Sequence, residues 1–352
     1  MMIGDRVRQR SKIGLVVACH ILTLVSLLLG MLSIAMSAQA IDLQGHRGAR
    51  GLLPENSLVG FAKALAIGVT TLELDTVITR DGVMVISHDA RLNPDITRNA
   101  KGEWIVAPFL PIDTLTYAEL ARYDVGMMRP QSEYAARFPL QKGRAKTRIP
   151  RLQDLFEMVR EAGATDVRFN IETKITPDEP HLTPTPDVFA RALIAEIRRA
   201  GMQSRTTIQS FDWRTLVIVQ REAPEMPTAY LTAQQAWMDN IWADRAAPSP
   251  WTANVKFAEE RSVPAMIKAA GGAIWSPYFG DVTQLNLAEA KALGLRVIPW
   301  TVNTRGDMVR LIDWGVDGLI SDYPDMLRSV AIEKGLAVPT PVPQKSRGKA
   351  AR

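Results

Sequence analysis

Strand-like and helix-like segments alternate from residue 41 to residue 330, eight strands remain once one short hairpin arm is set aside, and residues 89–150 break the rhythm. These observations predict an α/β chain folded as a distorted (β/α)8 TIM barrel, with an inserted segment over its C-terminal face and an N-terminal signal peptide ahead of it. A doubly wound open sheet is the alternative, because the strand count depends on how the chain is divided.

The first forty residues stand apart. Residues 1–12 carry four bases and one acid, an apolar run extends from Ile13 to about Met36, and Ala38 and Ala40 flank Gln39. Basic, apolar, then small-x-small is the order of a secretory signal. Cleavage after Ala40 would leave a periplasmic protein with no stable membrane insertion. A retained anchor is the alternative, since the run is long enough to span a bilayer; lipid modification of Cys19 is another. Cys19 is the only cysteine, so the mature chain has neither disulfides nor thiol chemistry.

Ile41–Gly45 is a short apolar strand ending at His46, and Ser57–Ala66 is helical in period and stopped by Gly68. Thr71–Thr79 and Val83–Ser87 are joined through Arg80-Asp81-Gly82. That turn is too short for a parallel crossover, so the pair is an antiparallel hairpin. Later strands are Val167–Thr173, Thr206–Ser210, Thr228–Leu231, Ala273–Ser276, Arg296–Val302 and Gly318–Ser321. Helices fall at Leu152–Ala162, Val188–Ala200, Trp213–Glu222, Val282–Leu293 and Arg305–Trp314. The insertion, 89–150, holds one weak helix around Thr116–Asp124 and is expected to narrow the barrel mouth, where loops build active faces. One catalytic domain therefore spans 41–330, and the Pro-rich, basic end, 331–352, reads as a disordered tail. The body has 33 bases against 35 acids, too even a balance for a nucleic-acid footprint.

Polar residues gather at the strand ends. His46 and His88 each follow an apolar strand directly, whereas His181 lies in a Pro-rich stretch and reads as surface. Histidines at the C-terminal ends of barrel strands read as catalytic, although each alone could be structural. Glu73 and Asp75 are two apart in one strand, so they share a face. Two unpaired carboxylates inside a barrel are costly unless salt-bridged or joined by a cation. Glu172 and Lys174 repeat the spacing: a third ligand and a cation for a phosphoryl oxygen, or else an internal ion pair. Oxygen ligands of this kind favour one divalent cation, Mg²⁺ or Ca²⁺, over zinc. Asp322 also closes a strand-like run, but Asp322-Tyr323-Pro324 reads as the cap of a last helix.

There is no G-x-S-x-G elbow and no P-loop lysine motif. A cation, two imidazoles, Arg47 and Lys174 suit hydrolysis of a phosphodiester. Positive charge would stabilise the developing negative charge, with one histidine as base and the other as acid. In a glycerol diester the nucleophile is either the neighbouring 2-hydroxyl, through a cyclic phosphate, or water directly.

The same residues fall in an ordered set of motifs: His46-Arg47-Gly48-Ala49-Arg50-Gly51 with Pro54-Glu55-Asn56-Ser57, Glu73-Leu74-Asp75, Thr79-Arg80-Asp81-Gly82, His88-Asp89 and Glu172-Thr173-Lys174. Gln209-Ser210-Phe211, Trp300-Thr301-Val302-Asn303 and Gly315 through Pro324 follow in order. In these motifs the chain resembles the glycerophosphodiester phosphodiesterase family. The resemblance implies a small-molecule glycerophosphodiester substrate, cut to sn-glycerol 3-phosphate and an alcohol. It implies His46 as base, His88 as acid, Glu73, Asp75 and Glu172 as metal ligands, and Arg47 and Lys174 on the phosphate. Trp300 would line the substrate side, and Asn56 is a polar wall residue or merely a helix-start residue. Ser57 and Ser321 replace common threonines without removing charge, whereas 101–111 departs from the usual insertion. A lysophospholipase D or sphingomyelinase D-like activity is the enzymatic alternative, and a catalytically silent periplasmic phosphodiester-binding protein is the alternative of another class.

Overall fold

The computed structural model describes residues 40–342. The expected leader through residue 39 and the basic end, 343–352, lie outside the described residues.

The chain opens with β1 (Asp42–Gly45), α1 (Leu58–Ile67), β2 (Thr71–Ile78) and β3 (Met84–Ile86). The insertion holds two short helices, α2 (Tyr117–Leu120) and α3 (Glu133–Arg137). There follow α4 (Leu152–Glu161), β4 (Arg168–Thr173), α5 (Pro186–Ala200), β5 (Thr206–Ser210), α6 (Trp213–Glu222) and β6 (Thr228–Thr232). A small hairpin, β7 (Gln234–Gln235) and β8 (Met238–Asp239), and the helices α7 (Phe257–Glu260) and α8 (Val263–Ala269) lead to β9 (Ile274–Pro277). The last elements are α9 (Gln284–Ala292), β10 (Arg296–Val297), α10 (Arg305–Trp314), β11 (Gly318–Ser321) and α11 (Pro324–Glu333).

Among the described residues, eight parallel strands run in the order β10-β9-β6-β5-β4-β2-β1-β11, and β3 pairs antiparallel with β2. The ends of this order meet through irregular backbone. Asp317 N–H donates to Val297 O at 2.9 Å, Ile320 N–H to Pro299 O at 3.0 Å and Val302 N–H to Ile320 O at 2.9 Å. The sheet is therefore a distorted (β/α)8 TIM barrel rather than an open, doubly wound one. The distortion has a local cause. The expected strand Arg296–Val302 is regular only through Val297, because Pro299 has no N–H to give a ladder.

Period-two alternation sorts the strand residues. Leu72 and Leu74 of β2 face outward into the core with Phe61, Phe156 and Phe189. Each such buried side chain contributes roughly 1.5–3 kcal/mol. Inside the barrel, Ala229, Ile274, Ile298 and Ile320 fill one side. The other side is polar: Asn170 Nδ2 donates to Gln44 Oε1 at 2.9 Å and to Gln209 Oε1 at 2.8 Å. Buried amides keep their place only when so paired.

Three expectations need correction. The insertion is more structured than one weak helix: Leu92, Ile112, Leu120, Val125 and Ile149 pack with Val77 and Val85 of the β2–β3 hairpin. Between β6 and β9 the sequence reading contains no element, yet β7, β8, α7 and α8 lie there. The sequence signal for α8 is Ser262 followed by Pro264; Ser262 Oγ accepts from Ala265 N–H at 3.1 Å, a start written as cap and then proline. Finally, the chain does not leave the fold at 331. Helix α11 runs through Glu333, Leu336 and Val338 pack on the core, and Val342 N–H donates to Leu65 O at 2.9 Å. Among the described residues, no helix is long and apolar enough to cross a membrane.

Candidate active site

Register assembles the carboxylates. In the parallel pairing of β2 with β4, Asp75 stands opposite Glu172 and Glu73 opposite Asn170, while Glu172 stands opposite Gln209 of β5. One ligand oxygen from each of Glu73, Asp75 and Glu172 lies within 4.8 Å of the others, and all three residues are buried. Each carboxylate accepts at least one hydrogen bond from the protein. Glu73 accepts from Gln209 Nε2 at 2.7 Å and from the Arg47 N–H at 2.8 Å. Asp75 accepts from Asn56 Nδ2 at 2.9 Å, and Glu172 from Lys174 Nζ at 2.8 Å.

The cluster is electrostatically unfinished. Burial, then the charge of Asp75, pushes Glu73 well above the usual carboxylate range. Burial lifts Glu172 to about 7 against the pull of Lys174. Burial opposes ionisation of Asp75 as well, yet Arg47, His88 and Lys174 hold its carboxyl well below its ordinary value. Asp75 Oδ1 is buried and accepts no hydrogen bond. A hard divalent cation fits this donor set: three oxygens, one of them unpaired, and two acids reluctant to ionise without added positive charge.

The first and last strands supply the imidazole. Gly45 of β1 pairs with Ser321 of β11, which sets His46 beside Asp322. His46 Nδ1 lies 2.7 Å from Asp322 Oδ1, and its Nε2 lies 3.9 Å from Glu73 Oε2. Asp322 is not the cap expected of it. Tyr323 occupies that position, while the Asp322 carboxylate accepts from Arg50 Nε at 2.7 Å and from Asn303 Nδ2 at 2.6 Å. Burial, then the charge of Arg50, lowers His46 to about 4, and Arg50 and His46 keep Asp322 ionised despite burial. Nδ1–H therefore faces the carboxylate, and Nε2 keeps its lone pair toward the acidic cluster.

His88, 32% exposed at its side chain, stands at the rim with Nδ1 2.7 Å from Asp89 Oδ1. Partial burial, Arg47 and Lys174 lower it, against the pull of Asp89. Arg47 Nη1 donates to Glu55 Oε1 at 2.9 Å, and Arg47 Nε lies 3.2 Å from Asp75 Oδ2. Gly48 follows with φ +87°, and a Cβ there would meet Gly60 C at 2.8 Å. Only glycine lets this loop rest on the start of α1 and aim Arg47 inward.

A cavity of about 1030 Å³ opens above the strand ends, and His46, Arg47, Glu73, His88, Glu172, Lys174 and Trp300 line it. Asp75 and Asn56 lie behind that wall, so Asn56 supports Asp75 rather than forming part of the lining. Trp300 both packs and lines: its indole N–H donates to Ser276 O at 2.9 Å, and its ring meets Phe211 edge-on at 5.2 Å. Insertion residues Leu92 and Phe109 form part of the wall, as do Trp237 and Met238 of the β7–β8 hairpin. His181 is exposed and does not line this cavity. Sequence reasoning missed Asp322, Arg50, Glu55 and Asn303. All four lie in the quoted motifs, but Asp322 meets His46 and Arg50 only through the pairing of β1 with β11, and Glu55 meets Arg47 only through the fold of their shared loop.

The glycerophosphoryl diester phosphodiesterase family model matches residues 46–326. A glycerophosphodiester phosphodiesterase of Caldanaerobacter subterraneus subsp. tengcongensis is 28% identical over 290 residues, 82% of this chain and 97% of that one. A crystal structure from Silicibacter pomeroyi, assigned to the glycerophosphoryl diester phosphodiesterases, is 37% identical and superposes with a TM-score of 0.76 over 85% of this chain and 95% of that one. An Oleispira antarctica phosphodiesterase solved in complex with the product sn-glycerol-3-phosphate shares the fold at 23% identity and a TM-score of 0.60, over 82% and 96% of the two chains.

Proposed function

This chain belongs to the glycerophosphoryl diester phosphodiesterase family, and from that premise we propose that it hydrolyses glycerophosphodiesters with His46 as general base, His88 as general acid and a divalent cation on Glu73, Asp75 and Glu172. It is an enzyme of that family, acting on glycerophosphodiesters toward glycerol 3-phosphate, which removes the silent binding-protein alternative. The observation that carries the mechanistic reading is the meeting, at one cavity, of two carboxylate-paired imidazoles with Glu73 and Glu172, backed by the buried Asp75.

When bound, the cation would act as a Lewis acid on the phosphoryl oxygens and offset the charge that develops there. The protein groups do the rest. Arg47 and Lys174 bind the phosphodiester and orient it. His46, neutral and pinned through Nδ1–H to Asp322, offers Nε2 to the proton of the attacking hydroxyl, whether that of water or the substrate's own 2-hydroxyl. His88, pinned through Nδ1–H to Asp89, gives its Nε2 proton to the departing alkoxide. Bound phosphate offsets the repulsion from Arg47 and Lys174 and so favours the protonated His88 this step needs. Replacing Asp322 with asparagine should lower kcat on the order of 100-fold with little change in KM, because the amide no longer fixes the His46 tautomer. A steady-state profile with KM raised and kcat intact would contradict that role.

Cavity size supports a second reading. About 1030 Å³ is at the upper end for a small-molecule site, and the walls at Phe109, Leu182, Leu231 and Trp237 are apolar, as an acyl chain of a lysophospholipid would require. One assay separates the two: glycerol 3-phosphate release from glycerophosphocholine beside cleavage of lysophosphatidylcholine, after chelation and after return of Mg²⁺ or Ca²⁺. The expected result is turnover of the small diester, reduced on the order of 100-fold by chelation and restored by the ion. Cleavage of the lipid alone would sink the substrate assignment, and full activity under chelator would sink the metal. The proposal extends to export into the periplasm with cleavage after Ala40, supported by the basic, apolar, small-residue order of the leader.

A further inference from the structure

The insertion does more than wall the cavity. Its helix α3 docks on the loop that carries Arg47 and Arg50. Tyr134 of α3 donates its hydroxyl to Glu55 Oε2 at 2.6 Å. Through its other oxygen, Glu55 takes Arg47 Nη1 at 2.9 Å, and Arg50 Nη1 stands 3.7 Å from Oε2. Just beyond α3, the Phe138 ring lies under the Arg50 guanidinium at 4.6 Å, and Gln141 Nε2 donates to Arg50 O at 2.6 Å. Glu55 is buried, and the phenol, Arg47 and Arg50 share its two oxygens.

We propose that Tyr134 is a positioning residue for phosphodiester binding: its hydroxyl fixes Glu55, and Glu55 fixes the guanidinium of Arg47 toward the phosphoryl group. This rests on the reading of Arg47 as a phosphate-binding cation. A hydrogen bond to one carboxylate oxygen leaves the other free to hold Arg47 in a single orientation. Without the phenol, Glu55 Oε2 has only Arg50 nearby, and the carboxylate is free to turn toward it. Arg47 would then keep only Asp75, 3.2 Å from its Nε, and ordering the rest of its guanidinium becomes a cost of substrate binding. Packing alone predicts otherwise, because Tyr134→Phe keeps the ring against Phe138 at a centroid distance of 4.9 Å and removes only the hydroxyl.

The test uses the full chain with the supporting cation present, glycerophosphoethanolamine as substrate and inorganic phosphate as a competing probe. Tyr134→Phe should raise KM and the phosphate inhibition constant about 10-fold, leaving kcat within about 3-fold and the melting temperature near that of the parent. In an Arg47→Ala background the same change should have no further effect, since its route to substrate is gone. Unchanged KM in Tyr134→Phe, or an undiminished effect in the Arg47→Ala background, overturns the assignment. If Arg47→Ala itself leaves KM and phosphate inhibition unchanged, the phosphate-binding reading of Arg47 fails first, which is a distinguishable result. Glu55→Gln reaches the same contact from the other side and should raise KM likewise. It keeps the question open to measurement if loss of the phenol unsettles the insertion.

Discussion

His46→Ala should lower kcat on the order of 1000-fold while KM stays within a few-fold of the parent value, as loss of a positioned general base dictates. The fold should survive. Asp322, the partner left behind, keeps Arg50 at 2.7 Å and Asn303 at 2.6 Å, so no buried charge is stranded. A coupled glycerol 3-phosphate assay with near-saturating substrate gives kcat, and a thermal melt gives the control. A loss of less than 10-fold would remove His46 from the chemistry. The pH profile carries an independent sign. A base must be unprotonated to act, and burial with the charge of Arg50 holds His46 at about 4. The acidic limb of kcat/KM should therefore lie below the ordinary imidazole value of about 6.5, with activity falling only as pH drops toward that lower region. An acidic limb near 6.5 that disappears in His46→Ala would show an imidazole in contact with water.

Glu73→Gln should raise the Mg²⁺ or Ca²⁺ concentration needed for half-maximal activity on the order of 100-fold. The substitution keeps the shape of the side chain and removes one charge. The readout need not be catalytic. Burial and the charge of Asp75 already disfavour the ionised Glu73 in the ion-free protein, so the neutral variant should melt no lower than the parent when chelated. The parent should gain melting temperature as cation is added, because an ion that binds only the folded state stabilises it. The variant should gain much less. Equal shifts in both proteins would remove Glu73 from the ligand set.

The cluster was legible because its logic is local. Glu73 and Asp75, and Glu172 with Lys174, sit two apart on strands, and the pleat turns such pairs to one face whatever lies beyond. His46 and His88 declared themselves by following apolar strands. Asp322 did not, because its neighbours Tyr323 and Pro324 point to a helix start. Its actual partner is 276 positions earlier in the chain, and only the register of β1 on β11 brings the two together. Asn56 was legible as polar but not as the support of Asp75. Elements of two to seven residues such as β7, α3 and α8 are too short for periodicity to show. Pro299 was visible, but the strand pattern around it outweighed its missing N–H.

The source of each group has a consequence for how activity is acquired. The three carboxylates come from β2 and β4, immediate neighbours in the sheet, whereas His46 and Asp322 follow the first and last strands, β1 and β11. A nascent polypeptide still lacking β11 has every acid of the cluster and the His88–Asp89 pair in hand, but no partner for His46. In the proposed mechanism the acidic cluster and the His46–Asp322 pair are thus assembled separately, and the second is complete only when the last stave of the barrel is seated against the first.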